Sequence, residues 1–341
     1  MDRSNPKITV LMPVFNGEEY VGQAIESILN QSFKDFELIV INDCSSDTSH
    51  EKILSYNDDR IRYYINDLNL GISKTLNKGI ELARGDFIAR MDCDDISLSK
   101  RLEYQYNIMV KNSQIGVCGT WAEVFGEQNG YIKHPTKHNE IKARLLFCSS
   151  FVHPSVMFRK SFIDKYHIRY NEDTKVEDLD LWHRCSELTR FYNVPKILLK
   201  YRITKNSLSH DENKKVKFDN ENLRQFKKYI EGLYLVKLTN EELEMQCLQI
   251  QDLHKKGYES NKLLRWLLRL KKMNSERKAL SIYHLNKAIS NRWYEFFLTK
   301  SNITGKDLRI YLREIGFIIY NPIRSLKLLL KTCRGRIYKS F

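Results

Sequence analysis

Three aspartates, Asp92, Asp94 and Asp95, stand within four positions of one another. They follow a short apolar run, Phe87 to Met91, that reads as a buried strand after Gly85. Three carboxylates at the end of a strand repel one another unless positive charge sits among them. A hard divalent cation with oxygen ligands, Mg²⁺ or Mn²⁺, meets that need, and such ions bring phosphate with them. Downstream, Ser97 or Ser99 can cap a helix beginning near Lys100, and the competing reading of the acids is a turn that caps a helix. A second acidic pair, Glu177-Asp178, opens Val176–Leu188, whose Leu179, Trp182, Cys185 and Leu188 share one helical face. A carboxylate there either complements the helix dipole or takes a proton as a general base.

The elements that must position these acids can be read in chain order. Lys7–Phe15 is a buried strand that ends at the turn Asn16-Gly17, and Glu18–Asn30 has helical spacing. Phe36–Ile41 is a second strand, running into Asn42-Asp43-Cys44-Ser45-Ser46-Asp47. A helix over Thr48–Tyr56, a strand over Ile61–Ile65, a turn at Asn69-Leu70-Gly71 and a helix over Ser73–Leu82 lead to the acidic strand. Later strands are expected at 115–125 and 196–203, and a helix over 139–148. This alternation predicts an α/β fold: a mostly parallel sheet with helices on both faces. Ligands bind such sheets beyond the carboxyl ends of the strands. Phe15, Asn16, Asp43 and the three aspartates all fall there.

At 341 residues and 42% hydrophobic content the chain can bury a sizeable core. Seven scattered cysteines without a C-x-x-C pair read as reduced thiols, not as a disulfide or zinc framework. The start MDRSNPKITV lacks the apolar core of a signal peptide, and no run is long enough to span a bilayer. A cytoplasmic protein is therefore expected. Its charge is uneven: the net +14 lies entirely in residues 211–341, and residues 1–210 balance to zero.

In order and spacing the pieces resemble the family-2 glycosyltransferases, inverting enzymes with the GT-A nucleotide-sugar fold. The matching segments are PVFN at 13–16, SILNQSFKDFELIVIND at 27–43, CSSD at 44–47, NLG at 69–71, GDFIARMDCDD at 85–95 and EDLDLW at 177–182. The resemblance runs from about residue 6 to 205 and points to non-processive bacterial enzymes of surface-polysaccharide assembly, O-antigen or capsule. It implies a GT-A catalytic domain over 1–210 and a UDP-sugar donor carrying a hexose or N-acetylhexosamine. The acceptor would be a glycan or a lipid-linked sugar.

The resemblance also implies roles. Pro13, Phe15 and Asn16 would line the nucleotide, with Phe15 stacked on uracil. Asp43 would accept the uracil imide N–H, in a place where the family usually has two acids and this chain has Asn42 first. Asp92 and Asp94 would meet the nucleotide sugar, and Asp94 and Asp95 a divalent metal that offsets the charge of the leaving diphosphate. Which of the three aspartates ligates is left open. Lys74 and Arg90 would meet phosphate or lie solvated. Asp178 would be the base that deprotonates the acceptor hydroxyl, with Glu177 and Asp180 as competitors. His153 and Arg202 would approach the acceptor or the diphosphate.

Residues 211–341 read as a helical, basic region. Asn261–Leu270 sets Leu263, Leu264, Leu267 and Leu268 apart from Arg265 and Arg269, and Ser325–Ile337 is a second basic amphipathic run. Such helices suit an anionic membrane surface, at the inner face of the cytoplasmic membrane, or a helical bundle with solvated charges. Nucleic acid is not expected, for lack of a recognition motif or interleaved aromatics. A metal-dependent nucleotidyltransferase and a non-catalytic carbohydrate-binding or scaffold protein are the rival functions.

Overall fold

The structure is a computed structural model that describes residues 5–204, 212–247, 250–300, 303, 305–313, 319–320 and 322–328. The chain divides into two compact units, Met1–Ile141 with Ser149–Glu221, and Lys142–Cys148 with Asn222–Phe341.

The first unit opens with β1 (Ile8–Val14), α1 (Val21–Leu29), β2 (Phe36–Asn42), α2 (Ser49–Leu54), β3 (Ile61–Ile65), α3 (Ile72–Leu82) and β4 (Phe87–Arg90). It continues through β5 (Ile96–Ser97), α4 (Arg101–Lys111), β6 (Ile115–Gly126), β7 (Gly130–Ile132) and the first residues of α5 (His138–Arg144). β8 (Met157–Arg159), α6 (Lys160–Lys165), α7 (Glu177–Cys185) and β9 (Arg190–Ile203) follow. One nine-stranded sheet runs in the order β3-β2-β1-β4-β8-β6-β9-β5, with β7 paired to β6. The first four strands are mutually parallel, as the alternating helices require. Beyond β4 the sheet is mixed: β8 runs antiparallel to β4 and β6, while β6 and β9 are parallel.

β1 and β2 are buried along their whole length, so both faces are apolar. On one face Val10, Met12, Leu38 and Val40 meet Val21, Ala24, Ile25 and Ile28 of α1. α3 comes close to the sheet because Gly79 lies against Leu11, where a Cβ would be 2.1 Å from a Leu11 methyl. Gly85 crosses β1 so closely that a Cβ would stand 2.5 Å from the Thr9 nitrogen.

The segment that carries the acids is stitched down by buried polar side chains. Gln31 donates through Nε2 to Ser97 Oγ at 3.1 Å and to the Leu98 carbonyl at 3.0 Å, and its Oε1 accepts from Leu102 N at 3.1 Å. Arg101, fully buried, donates to the Arg90 carbonyl, and Gln105 donates to the Cys118 and Ser155 carbonyls at 2.6 and 2.9 Å. The expected serine cap is not there. α4 starts after Lys100 with no side-chain cap, because Ser97 is drawn into β5 by pairing with Leu199 of β9.

The second unit contains most of α8 (Glu212–Tyr234), then α9 (Asn240–Cys247), α10 (Ile250–Lys255), α11 (Ser260–Arg277), α12 (Ile282–Leu298) and α13 (Gly305–Arg313). Its core joins Leu263, Leu264 and Leu267 of α11 to Ile289, Trp293 and Phe297 of α12. Leu263, Leu264 and Leu267 of the expected apolar face are thus spent on packing, and Leu268 stays 36% exposed. Residues 329–337 of the second basic run lie outside the described residues. No described helix is long and apolar enough to cross a membrane.

Two glycines test this packing in opposite directions. Gly85→Ala should destabilise the chain by roughly 1–3 kcal/mol, because its neighbours are backbone atoms that cannot step aside. Gly232→Ala, in α8 with nothing within 4 Å, should stabilise by about 0.5–1 kcal/mol through helix propensity. Unfolding transitions of the full-length variants read both.

Candidate active site

A cleft of about 1420 Å³ lies beyond the carboxyl ends of β1, β2 and β4. Pro13, Phe15, Asn16, Asp43, Asp92, Asp94 and Arg202 line it, together with Tyr20, Gly71, Thr75 and Lys175. Two left-handed residues shape its rim: Asn16 at φ 48° and Cys44 at φ 60°. Asn16 tolerates that conformation well. It is locked there by Ser45 Oγ, which accepts from Asn16 N at 3.0 Å, and by Ser46 N, which donates to Asn16 Oδ1 at 2.9 Å. The locked turn leaves Phe15 51% exposed in the cleft. An aromatic face held open to solvent is an unusual use of apolar area unless a flat ligand covers it.

Asp43 is buried and serves the loop before α3. Its Oδ1 accepts from Leu70 N at 2.9 Å and Asn66 Nδ2 at 2.8 Å, and its Oδ2 accepts from Gly71 N at 2.9 Å. Oδ2 therefore retains a second acceptor site. Asn42, beside it, is turned to Tyr63 and Ser45 and does not line the cleft. Lys74 is exposed on α3, between the cleft residues Ile72 and Thr75.

Asp92, Asp94 and Asp95 bring carboxylate oxygens within 4.8 Å of one another. Arg90, nearly buried, grips Asp92 with both guanidinium nitrogens at 2.6 Å. Arg202 holds the other two: its backbone N–H donates to Asp95 Oδ1 at 2.8 Å and its Nε to the Asp94 carbonyl at 2.7 Å. The Arg202 guanidinium is itself clamped over the rings of Tyr20 and Phe125, at 4.1 and 4.4 Å. Burial and the Asp92 charge push Asp94 up to about 6, and burial with both neighbours raises Asp95 well above the carboxylate range. Asp95 Oδ2 is buried without a hydrogen-bond partner. An orphaned carboxylate oxygen beside two further acids is the donor set that a hard divalent cation takes, so the residues fit such an ion.

Glu177 and Asp178 stand at the start of α7, part-buried. Burial raises both, and the adjacent Asp178 charge helps bring Glu177 to about 7. The Leu179 N–H, donating to Asp178 Oδ1 at 2.7 Å, and the nearby Arg90 charge oppose the rise at Asp178. Arg90 also acts on Asp94 and Asp95, and Asp92 acts on Glu177. The two acidic motifs, more than 80 residues apart, therefore share one electrostatic neighbourhood. Asp180 faces elsewhere, fully buried and paired with Arg184 at 2.7 Å. His153 lies near Arg90, is held neutral by burial and by that charge, and meets the Tyr170 hydroxyl through Nε2 at 2.9 Å. Trp182 is core.

Sequence reasoning missed Tyr20, Phe125 and Lys175. Only Lys175, two positions before Glu177, carried a local signal. The two rings are joined to Arg202 by folding alone.

The sequence pattern of the Glycosyl transferase family 2 matches residues 9–167. The O-antigen biosynthesis glycosyltransferase WbnJ of Escherichia coli is 38% identical over 58% of this chain and 79% of its own length. The UDP-Glc:alpha-D-GlcNAc-diphosphoundecaprenol beta-1,3-glucosyltransferase WfgD, also of Escherichia coli, is 27% identical over 62% of this chain and 82% of its own. Among solved structures, S. aureus TarS 1-349 in complex with UDP-GlcNAc shares the fold, with a TM-score of 0.57 at 16% identity over 89% of each chain. The pattern covers β2, β4, nearly all of β1 and all three clustered aspartates, and the chain belongs to glycosyl transferase family 2: it is a glycosyltransferase with a GT-A-like fold.

Proposed function

We propose that this enzyme transfers a hexose or N-acetylhexosamine from a UDP-sugar to a lipid-linked or glycan acceptor in surface-polysaccharide assembly, with inversion. The observation that carries the reading is the meeting of the two acidic motifs around Arg90. The names of WbnJ and WfgD support the polysaccharide setting, and WfgD's supports a UDP-sugar donor and a diphospholipid-linked acceptor.

In this reading the exposed Phe15 ring stacks on uracil and the spare acceptor site of Asp43 Oδ2 takes the imide N–H. A divalent cation on Asp94 and Asp95, Mn²⁺ or Mg²⁺, supplies charge neutralisation for the diphosphate when bound. Arg90 fixes Asp92, and Arg202 fixes the Asp94 carbonyl and the Asp95 carboxylate. Asp178 takes the proton of the acceptor hydroxyl as that oxygen bonds to the anomeric carbon. The bond from that carbon to the diphosphate breaks, and UDP leaves with the electron pair. Asp178 must be ionised to act, and burial raises its pKa.

Asp178→Asn should lower transfer by about 10²–10⁴-fold and leave UDP binding by calorimetry unchanged. In the wild type kcat/KM should climb with pH along an acidic limb centred above the ordinary aspartate value of about 3.9. A limb at or below that value would remove Asp178 from the role. Mn²⁺ at about 100 times its Kd should stabilise the chain by about 2.7 kcal/mol, a gain lost in Asp95→Asn. Equal shifts in wild type and variant would place the ion elsewhere. A panel of UDP-sugars assayed for UDP release tests the reaction; pyrophosphate release would instead identify a nucleotidyltransferase.

A further inference from the structure

The second unit shows one outward apolar surface assembled from two segments. Ile282 and Tyr283, at the start of α12, are 62% and 56% exposed. Ile319, Ile323 and Leu326 are 68%, 72% and 58% exposed. The segments meet: the Tyr283 ring packs edge-on against Tyr320 at 5.6 Å, and Asn286 donates to the Tyr320 hydroxyl at 3.1 Å. Residues 322–328 are helical, and their inner side is docked. Ser325 shares a 2.6 Å hydrogen bond with Tyr311, and Leu328 enters the core. A step of three then puts Ile323 and Leu326 together on the side left open, and Ile319 is exposed beside Tyr320. Single exposed aliphatics are ordinary, but a joined group of them marks an interaction surface.

Charge identifies the partner. Between residues 319 and 328 the sequence carries Arg324 and Lys327 and no acid. Arg324 and Lys327 are exposed among the apolar side chains, with Arg324 steadied by Asn291 at 2.9 Å and by the Tyr294 ring. Two copies meeting through this face would bring like charges together. An anionic bilayer offers both complements, phosphates for the cations and acyl chains for the aliphatics. We infer that this face seats the second unit on an anionic membrane surface, Ile282, Tyr283, Ile319, Ile323 and Leu326 entering the headgroup boundary. The surface differs from the leucine face of α11, of which Leu263, Leu264 and Leu267 lie in the core.

Flotation of the full chain with vesicles tests this. It should rise with phosphatidylcholine–phosphatidylglycerol vesicles, stay behind with phosphatidylcholine alone, and detach as salt is added. Ile323→Ser with Leu326→Ser should weaken the partition about 10–100-fold. Both side chains are exposed, so the melting transition should stay in place. Wild type that fails to float on anionic vesicles overturns the inference, as does a double variant that floats equally well. A wild-type dimer that the double variant converts to monomer, with no flotation of either, would make the face a self-association surface instead and also overturn it.

Discussion

One buried guanidinium organises the catalytic unit. Arg90 ends β4 inside the protein, where burial alone would disfavour its charge, and Asp92, with Tyr170 and Asp95, more than reverses that effect. The pair is bidentate, so it fixes direction as well as distance. Buried charges cost several kcal/mol each to desolvate and survive only with excellent geometry. Here the geometry is supplied by neighbouring strands. β1 and β8 flank β4, the Met91 N–H extends the pairing to Leu11, and Arg101 takes the Arg90 carbonyl. Removing the guanidinium would leave Asp92, Asp94, Asp95, Glu177 and Asp178 without the cation whose field they share.

The other fixed points have a similar logic. Arg202 reaches the acids from the end of β9 and is held flat between two aromatic rings, so little side-chain freedom remains to be lost when a ligand arrives. Gln31 and Gln105 tie the same segment to the end of α1 and to the strand layer through backbone carbonyls. The cleft is lined by loops, but each loop is closed by side chains whose partners are backbone groups.

Much of this was legible in the sequence. β1, β2 and β4 announced themselves as apolar runs, and the acids fell at a strand end because hydrophobic periodicity stops there. What was not legible depends on partners far away in the chain. Ser97 looked like a cap because its neighbours are helical, and only pairing with Leu199 makes it a strand residue. The leucines of α11 have the spacing of a membrane face and of a core face alike. Burial beside Trp293 decides for the core, a choice that local pattern does not contain. Arg90 read as a residue that would meet phosphate or water, and the fold turned it inward to Asp92.

Arg101 has one more implication. Its charge is sealed beneath the acidic turn, with Gln105, a methionine sulfur and a carbonyl as its partners, and burial brings it down to about 9. Together with Arg90 it supplies standing positive potential under the aspartates, so the cluster survives bare between visits of a ligand. The same potential tempers the pull on any incoming cation. On the proposed reading, a cation at this site would be held less tightly than three aspartates alone would hold it.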